Sequence, residues 1–366
     1  MKYYIIAGEA SGDLHGSNLI REIKKLDAGA VIRCWGGNQM ENAGALLVKH
    51  YKQLAFMGFT EVIKNLPTIF KNLAFCKKDI AAFEPAVLVL IDYPGFNMRI
   101  AKWAHIKKIK TVYYISPQIW AWKENRVHAI KRDVDKMLVI LPFEKSFYTK
   151  YNVEVDYVGH PLAEVINNFN AENPYIKKEN IIALLPGSRK QEILIKLPIM
   201  LQVASYFSNY KFVVAKAPGL DDNFYDTLLQ PYKNVGSVAG ETYYLLAKAK
   251  AALVTSGTAT LETALFKVPQ IICYKGGKIS YEIARRLIKI KYIGLVNLIM
   301  DKEVVKELIQ DELNVNNIVI ELKTLLEDDN KIAALKKDYD ALAALLHAGG
   351  NASANAAKKI YNFIKN

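Results

Sequence analysis

Cysteine is scarce: Cys34, Cys76 and Cys273 are the only three in 366 residues. An odd number at such wide spacing makes neither a disulfide framework nor a zinc cluster, and it fits a reducing, cytosolic setting. The six histidines, at 15, 50, 105, 128, 160 and 347, show no metal-ligand spacing. There is no Gly-x-Gly-x-x-Gly, no Walker pattern and no Gly-x-Ser-x-Gly elbow, so the usual dinucleotide, P-loop and α/β-hydrolase signatures are absent. Nowhere do about 18 apolar residues run without a charge, so no membrane span is expected. The opening run Tyr3–Ala7 stops before Glu9, too short for the apolar region of a signal peptide. Acidic residues are the scarcer sign: Asp+Glu number 36 against 49 Lys+Arg, a net charge of +13. That excess points to anionic partners: nucleic acid, a negatively charged lipid surface, or phosphorylated small molecules.

With 51% hydrophobic and 23% charged residues the composition is globular, and at about 150 residues per domain the length suggests two domains. Short apolar runs alternate with helix-like stretches. Candidate strands are Tyr3–Ala7, Val31–Trp35, Val87–Ile91, Lys110–Ile115 and Lys136–Ile140, then Ile181–Leu185, Lys211–Ala215, Ala251–Thr255 and Pro269–Cys273. Several are continuous Val/Ile/Leu/Ala runs, as expected of strands buried on both faces of a parallel sheet. Helical spacing marks Ser17–Lys25, Lys190–Phe207, Lys331–Leu346 and Ala352–Ile364. This βαβα order predicts an α/β fold. The polar stretch Asn167–Asn180 reads as a linker and places a boundary between 1–168 and 169–346.

Ligands of open α/β sheets bind beyond the carboxyl ends of strands, so the residues just after each strand are the informative ones. Gly8-Glu9-Ala10-Ser11-Gly12-Asp13 follows the first strand; the glycines permit close backbone approach, and the two carboxylates suit a hydroxyl-rich ligand. It also reads as an ordinary strand-to-helix turn with Asp13 as N-cap. Asp92, at the carboxyl end of Val87–Ile91 and held by Pro94-Gly95, is placed as a general base or as a turn cap. Gly187-Ser188-Arg189 opens a helix after Ile181–Leu185 and suits a phosphate or diphosphate. A cation at a helix start opposes the dipole, which favours a functional role for Arg189. Ser256-Gly257-Thr258 opens another helix as an anion nest, and Glu262, one turn deeper, suits a ribose diol. Two such turns in one half indicate a nucleoside diphosphate. Asp133-Val134-Asp135 precedes a strand rather than following one and reads as solvated helix-end charge.

The segment Leu54–Ile80 carries Phe56, Met57, Phe59, Ile69 and Phe70 among Lys64, Lys71, Lys77 and Lys78. Arg99–Lys110 and Lys278–Lys291 are also basic. Aromatics interleaved with lysine suit an anionic lipid interface, as they suit a core helix with a solvated face. Trp120 and Trp122 are placed either in a core or along an acyl channel. No helix-turn-helix, zinc finger or RNP strand supports nucleic acid.

Several motifs then occur together: GEASGD, LAFMGFTEV, LIDYPGFN, YYISPQIWAWKENR, LPFEKSFY, VGHPL, LLPGSR, TSGTATLE, VNLI and KELIQDE. In this order they resemble the lipid-A-disaccharide synthase family over nearly the whole chain. The resemblance implies a two-domain GT-B fold of Rossmann-like parallel sheets facing a cleft, with residues 347–366 crossing back to the first domain. It implies an inverting, metal-independent glycosyltransferase on the cytoplasmic face of the inner membrane, needing no cofactor. Its substrates would be UDP-2,3-diacylglucosamine and 2,3-diacylglucosamine 1-phosphate. Asp92 would be the base; Arg189, Ser256, Gly257, Thr258 and Lys275 would hold the diphosphate, and Glu262 the ribose. Asn297 and Gln310 would line the donor side, the loop near Gly236–Gly240 would meet uracil, and Gly8, Glu9, Ser11, Gly12 and Asp13 would shape the acceptor side. Val296 and Val305 depart from frequent family prolines. The competing readings are a UDP-GlcNAc 2-epimerase, which shares GT-B architecture but needs no acyl chains, and a non-enzymatic basic lipid- or nucleic-acid-binding protein.

Overall fold

In this computed structural model residues 1–54, 66–218, 220–277, 281–282 and 290–365 are described. They form two compact units, Met1–Pro161 with Leu346–Asn366, and Leu162–Leu345.

In the first unit the apolar runs become β1 (Lys2–Ala7), β2 (Val31–Gly36), β3 (Leu46–His50), β4 (Val87–Ile91), β5 (Thr111–Tyr114), β6 (Lys136–Val139) and β7 (Val155–Tyr157). All pair in parallel, in the order β3-β2-β1-β4-β5-β6-β7. Successive side chains of a strand point to opposite faces, and the core divides accordingly. Tyr4, Ile6, Leu88 and Leu90 join one cluster, with Cys76, Ile80 and Ile100. Tyr3, Ile5, Val87, Val89 and Ile91 join the other, with Leu19, Ile23 and Ile360. The helices are α1 (Ala10–Leu26), α2 (Asn38–Asn42), α3 (Leu66–Phe83), α4 (Pro94–Ile106), α5 (Ile119–Trp122), α6 (Val127–Asp133) and α7 (Glu144–Thr149). The second unit adds α8 (Pro161–Glu172), α9 (Lys190–Gln202), α10 (Asp222–Leu229), α11 (Thr242–Lys248), α12 (Thr258–Leu265), α13 (Leu295–Met300), α14 (Val315–Glu327) and α15 (Asp329–His347). The last helix, α16 (Ala352–Lys365), belongs to the first unit, where it lies against α1 and contributes Ala356, Ala357 and Ile360 to the core.

The second sheet comprises β8 (Ile181–Leu185), β9 (Lys211–Lys216), β10 (Val235–Ala239), β11 (Ala251–Thr255), β12 (Gln270–Tyr274) and β13 (Lys306–Ile309). It is parallel throughout, in the order β10-β9-β8-β11-β12-β13. Strand order reverses between β1 and β4 in one sheet and between β8 and β11 in the other. Such switch points open a crevice at the strands' carboxyl ends, where doubly wound folds bind ligands.

Three expectations need correction. The division falls at Pro161/Leu162, not after residue 168, and the first part of the supposed linker is the end of α8. That helix is packed through Leu162, Ala163 and Ile166, which precede the polar stretch. The loop assigned to uracil near Gly236 is largely strand β10. Asp133 is not solvated: it is buried and bonded to Arg132 Nε and Nη2 at 2.7 Å each, while Asp135 accepts the Thr111 N–H at 2.7 Å.

Candidate active site

The switch point of the first sheet places the turn after β1 beside the turn after β4. The Tyr93 ring lies against Gly8 so closely that a Cβ at position 8 would fall 2.2 Å from it. A bare backbone there is the condition for this approach. Asp92 and Tyr93 both have left-handed backbones, at φ 45° and 49°, conformations that cost about 1–3 kcal/mol each in non-glycine residues. Three side-chain hydrogen bonds hold the turn: Asn97 Nδ2 donates to the carbonyls of Ile91 (3.2 Å) and Asp92 (2.8 Å), and Tyr113 Oη donates to that of Asp92 (2.5 Å). Asn97 and Tyr113 escaped the sequence reading, because each acts on a main-chain oxygen and carries no motif of its own.

Burial first, and the nearby Glu9 carboxylate second, push the Asp92 carboxyl up to about 6. Asp92 lines a cavity of about 310 Å³ with Pro94, Ile115, Ser116, Gln118, Trp122, Ile140, Leu141 and Glu144. Ile115 is left-handed too, at φ 66°, rare for a β-branched residue. Strained backbone on two sides of one cavity is characteristic of a functional site. Glu144 is fully buried; burial raises its carboxyl to about 7, although the amides of Leu141 (2.9 Å) and Ile140 (3.2 Å) donate to it.

The other predicted residues of this unit divide. Glu9 and Ser11 are exposed at the start of α1, whereas Gly12 is buried with its Cα side against Ala7. Asp13 is corrected: its carboxylate is buried and accepts the backbone N–H groups of Gly37 (2.8 Å), Met40 (3.0 Å) and Gln39 (3.2 Å), so it anchors the start of α2 instead of facing a ligand. Trp120 is buried, edge-on to Phe143 at 4.9 Å, whereas Trp122 is 50% exposed. On α3, Ile69 packs partly against the core and Phe70 is 61% exposed. Phe56, Met57 and Phe59 lie outside the described residues, as does most of 278–291.

The switch point of the second sheet gathers both predicted phosphate turns. A cavity of about 460 Å³ is lined by Gly187, Ser188 and Arg189 after β8, by Ser256, Gly257 and Thr258 after β11, and by Glu262. Gly187 (φ 117°) and Gly257 (φ 128°) turn the chain into α9 and α12. Glu262 accepts a hydrogen bond from Tyr243 at 3.3 Å, and burial raises its carboxyl.

A charged row beneath this cavity was not predicted. Glu192, which also lines it, bridges Arg189 at 3.3 Å and the buried Lys196 at 3.7 Å. Lys196 Nζ in turn donates to Thr255 Oγ1, a cavity residue. The i, i+3, i+7 spacing on α9 was visible, but a lone lysine in a basic chain gives no sign of being buried.

Lys275, Asn297 and Gln310 do not line this cavity. Asn297 is buried with both ends of its amide occupied. Its Nδ2 donates to Val305 O (2.8 Å) and Glu307 (2.9 Å), and its Oδ1 accepts from Val304 N (2.8 Å) and Val305 N (3.0 Å). It stitches α13 to β13 and has no capacity left for a donor. Gln310 exchanges hydrogen bonds with the backbone of Gly276 at 2.8 and 3.3 Å, which fixes the loop after β12. Among the described residues no group of three or more His, Cys, Asp or Glu is arranged to hold a metal ion, and no helix is long and apolar enough to cross a membrane.

Two all-parallel Rossmann-like units, each with its crevice at the switch point, define a GT-B glycosyltransferase fold. Solved structures agree on the architecture. UDP-GlcNAc 2-epimerase from Neisseria meningitidis, bound to UDP-GlcNAc, matches with a TM-score of 0.67 and 13% identity over 100% of both chains. The kitacinnamycin glycosyltransferase matches at 0.67 and 12% over 99% of this chain and 98% of that one. At such identities the likeness is one of fold alone, and the epimerase reading has no further support. The profile of the lipid-A-disaccharide synthetase family matches residues 3–361, and the chain belongs to that family. Lipid-A-disaccharide synthase of Syntrophus aciditrophicus is 38% identical over 360 residues, 95% of this chain and 94% of that one. The Geobacter metallireducens enzyme is 38% identical over 335 residues, 88% and 87% of the two chains.

Proposed function

We propose that the protein transfers 2,3-diacylglucosamine from UDP-2,3-diacylglucosamine to 2,3-diacylglucosamine 1-phosphate, forming a β-1,6 bond and releasing UDP. The observation that carries this reading is the meeting of both phosphate-type turns and Glu262 around one cavity of about 460 Å³. The diphosphate lies against the backbone amides opening α9 and α12, with Arg189 giving bidentate contacts and Glu262 accepting from the ribose. In the first unit Asp92 takes the proton of the acceptor's 6-hydroxyl as that oxygen attacks the anomeric carbon. The bond from that carbon to the diphosphate breaks, the configuration inverts, and the electron pair leaves with UDP. Arg189 and the helix-start amides stabilise the leaving charge, so neither metal nor cofactor takes part.

The acylated substrates reside in a bilayer. The basic chain, with Phe70 exposed beside Lys71 on α3, suits adsorption to the anionic cytoplasmic face of the inner membrane. The test is disaccharide formation in detergent micelles with both acylated sugars present. Product must require both substrates and persist in EDTA; abolition by chelator refutes the metal-free mechanism. Conversion of UDP-GlcNAc alone would instead establish the epimerase.

A further inference from the structure

We propose that Lys123 and Arg126, around the face of Trp122, bind the phosphate of the acceptor sugar at the mouth of the Asp92 cavity. This assignment deepens the transferase reading and rests on it. Trp122 is half exposed and lines the same cavity of about 310 Å³ as Asp92. Lys123 Nζ lies 4.1 Å from the centroid of its ring and Arg126 Cζ 5.8 Å. Two cations therefore crowd one aromatic side chain. Elsewhere in this unit Arg33 pairs with Asp79, Arg132 with Asp133, and Lys136 and Lys359 with Asp156, while Lys2, Lys49 and Lys110, which also lie over rings, donate to oxygens of Phe83, Asn72 and Phe363. Among the described residues Lys123 and Arg126 form no such pair. The acid between them, Glu124, is bonded to Tyr151 Oη at 2.8 Å.

Like charges held together without a counterion favour an anion that neutralises both. Partial burial and the proximity of Arg126 lower the Lys123 ammonium from its ordinary value, in keeping with this. A phosphate monoester fits: it is doubly charged, accepts a bidentate guanidinium and takes a point contact from an ammonium. The half-exposed indole offers an apolar surface to a sugar ring. Geometry selects the orientation. In a glucosamine 1-phosphate the anomeric phosphate on C1 and the 6-hydroxyl on the C5 branch flank the ring oxygen and diverge from it, about one sugar's width apart. A ring with its phosphate at Trp122 thus directs its reactive hydroxyl into the cavity that Asp92 lines.

The experiment compares transfer to 2,3-diacylglucosamine 1-phosphate with transfer to the same sugar lacking phosphate, in the wild type, Lys123→Gln, Arg126→Gln and the double variant. The wild type is expected to prefer the phosphorylated acceptor, each single variant to lose about tenfold of that preference through the acceptor KM, and Arg126→Lys to restore part of it. The Kd for UDP is expected to stay the same in all. A double variant with the wild-type preference overturns the assignment. A second measurement is independent of turnover. Glucosamine 1-phosphate, and inorganic phosphate more weakly, should change the tryptophan emission of the wild type but not of Trp122→Phe or the double variant. A wild type with no transferase activity but a phosphate response at Trp122 refutes the reaction and not the subsite. No response at millimolar glucosamine 1-phosphate refutes the subsite.

Discussion

Asp92 combines a left-handed backbone with a carboxyl raised to about 6. A base must be ionised to accept a proton, so kcat/KM should fall as pH drops below about 6. Glu9 contributes to the raised value, and removing its charge makes ionisation of Asp92 easier. In Glu9→Gln the acidic limb of the pH–rate profile should therefore move to lower pH; a limb that stays put would separate Glu9 from the site. Asp92→Asn should keep UDP binding while turnover falls by about 10²–10⁴-fold, the usual scale of general-base catalysis. Lys196 permits a different test. Its buried charge sits beneath the turn at Thr255, so Lys196→Met should weaken UDP by roughly tenfold while uridine, which lacks the diphosphate, binds as before in calorimetry. Asn297→Ala should leave donor affinity nearly intact yet cost about 1–3 kcal/mol of stability, read as a lowered denaturation midpoint, because it strands buried backbone groups.

At the scale of elements, two buried histidines disfavour the folded state in acid. Burial lowers His15, on α1, to about 4 and His160, just after β7, to about 3, with His15 adding to the effect on His160. Both lie well below the ordinary 6.5 of an unfolded histidine. Between those values and 6.5 these two groups bind more protons in the unfolded chain than in the native one, so their contribution to stability is full above about pH 6.5 and falls as pH drops through that window. Both histidines belong to the first unit, where Asp92 and Glu144, raised to about 6 and about 7, act in the opposite sense because they take up protons in the native state over the same range. Removing one histidine tips that balance: tryptophan-detected melting, with Trp35, Trp103, Trp120 and Trp122 all in that unit, should lose less stability, or gain more, between pH 7 and 5 in His15→Phe than in the wild type. Elements also show where the sequence was readable. The nine expected strands all form, within a residue or two at their ends, and all are interior to the sheets. The four that escaped notice, β3, β7, β10 and β13, are the four sheet edges. Interior strands are covered on both faces and read as unbroken apolar runs, whereas an edge strand such as Lys306–Ile309 mixes charge and apolar residues because solvent reaches it.

For the whole molecule, a net charge of +13 acts over the range of a Debye length, so binding to anionic vesicles should weaken steeply between low and physiological salt. In the proposed membrane contact Phe70 would add an apolar contribution that salt does not screen. Phe70→Ser should lower vesicle partitioning about tenfold or more in a sedimentation assay, in line with about 1.5–3 kcal/mol for a buried phenylalanine; equal partitioning would remove α3 from the membrane contact.

Apolar periodicity and strand-to-turn punctuation determined the interior of both sheets and the four turns that follow β1, β4, β8 and β11, since these depend on local sequence: a buried strand needs a run of apolar residues, and such a turn needs glycine and hydroxyl groups in place. Which polar residues serve a ligand and which serve the fold was decided in three dimensions. Asp13, Asn297 and Gln310 carry the right functional groups, but partners 24 to 27, 7 to 10 and 34 residues away claim them. Lys196, Asn97 and Tyr113 looked ordinary and gained their places from burial. A hydrogen-bonding group has a fixed capacity, and only the packed chain determines which partner fills it.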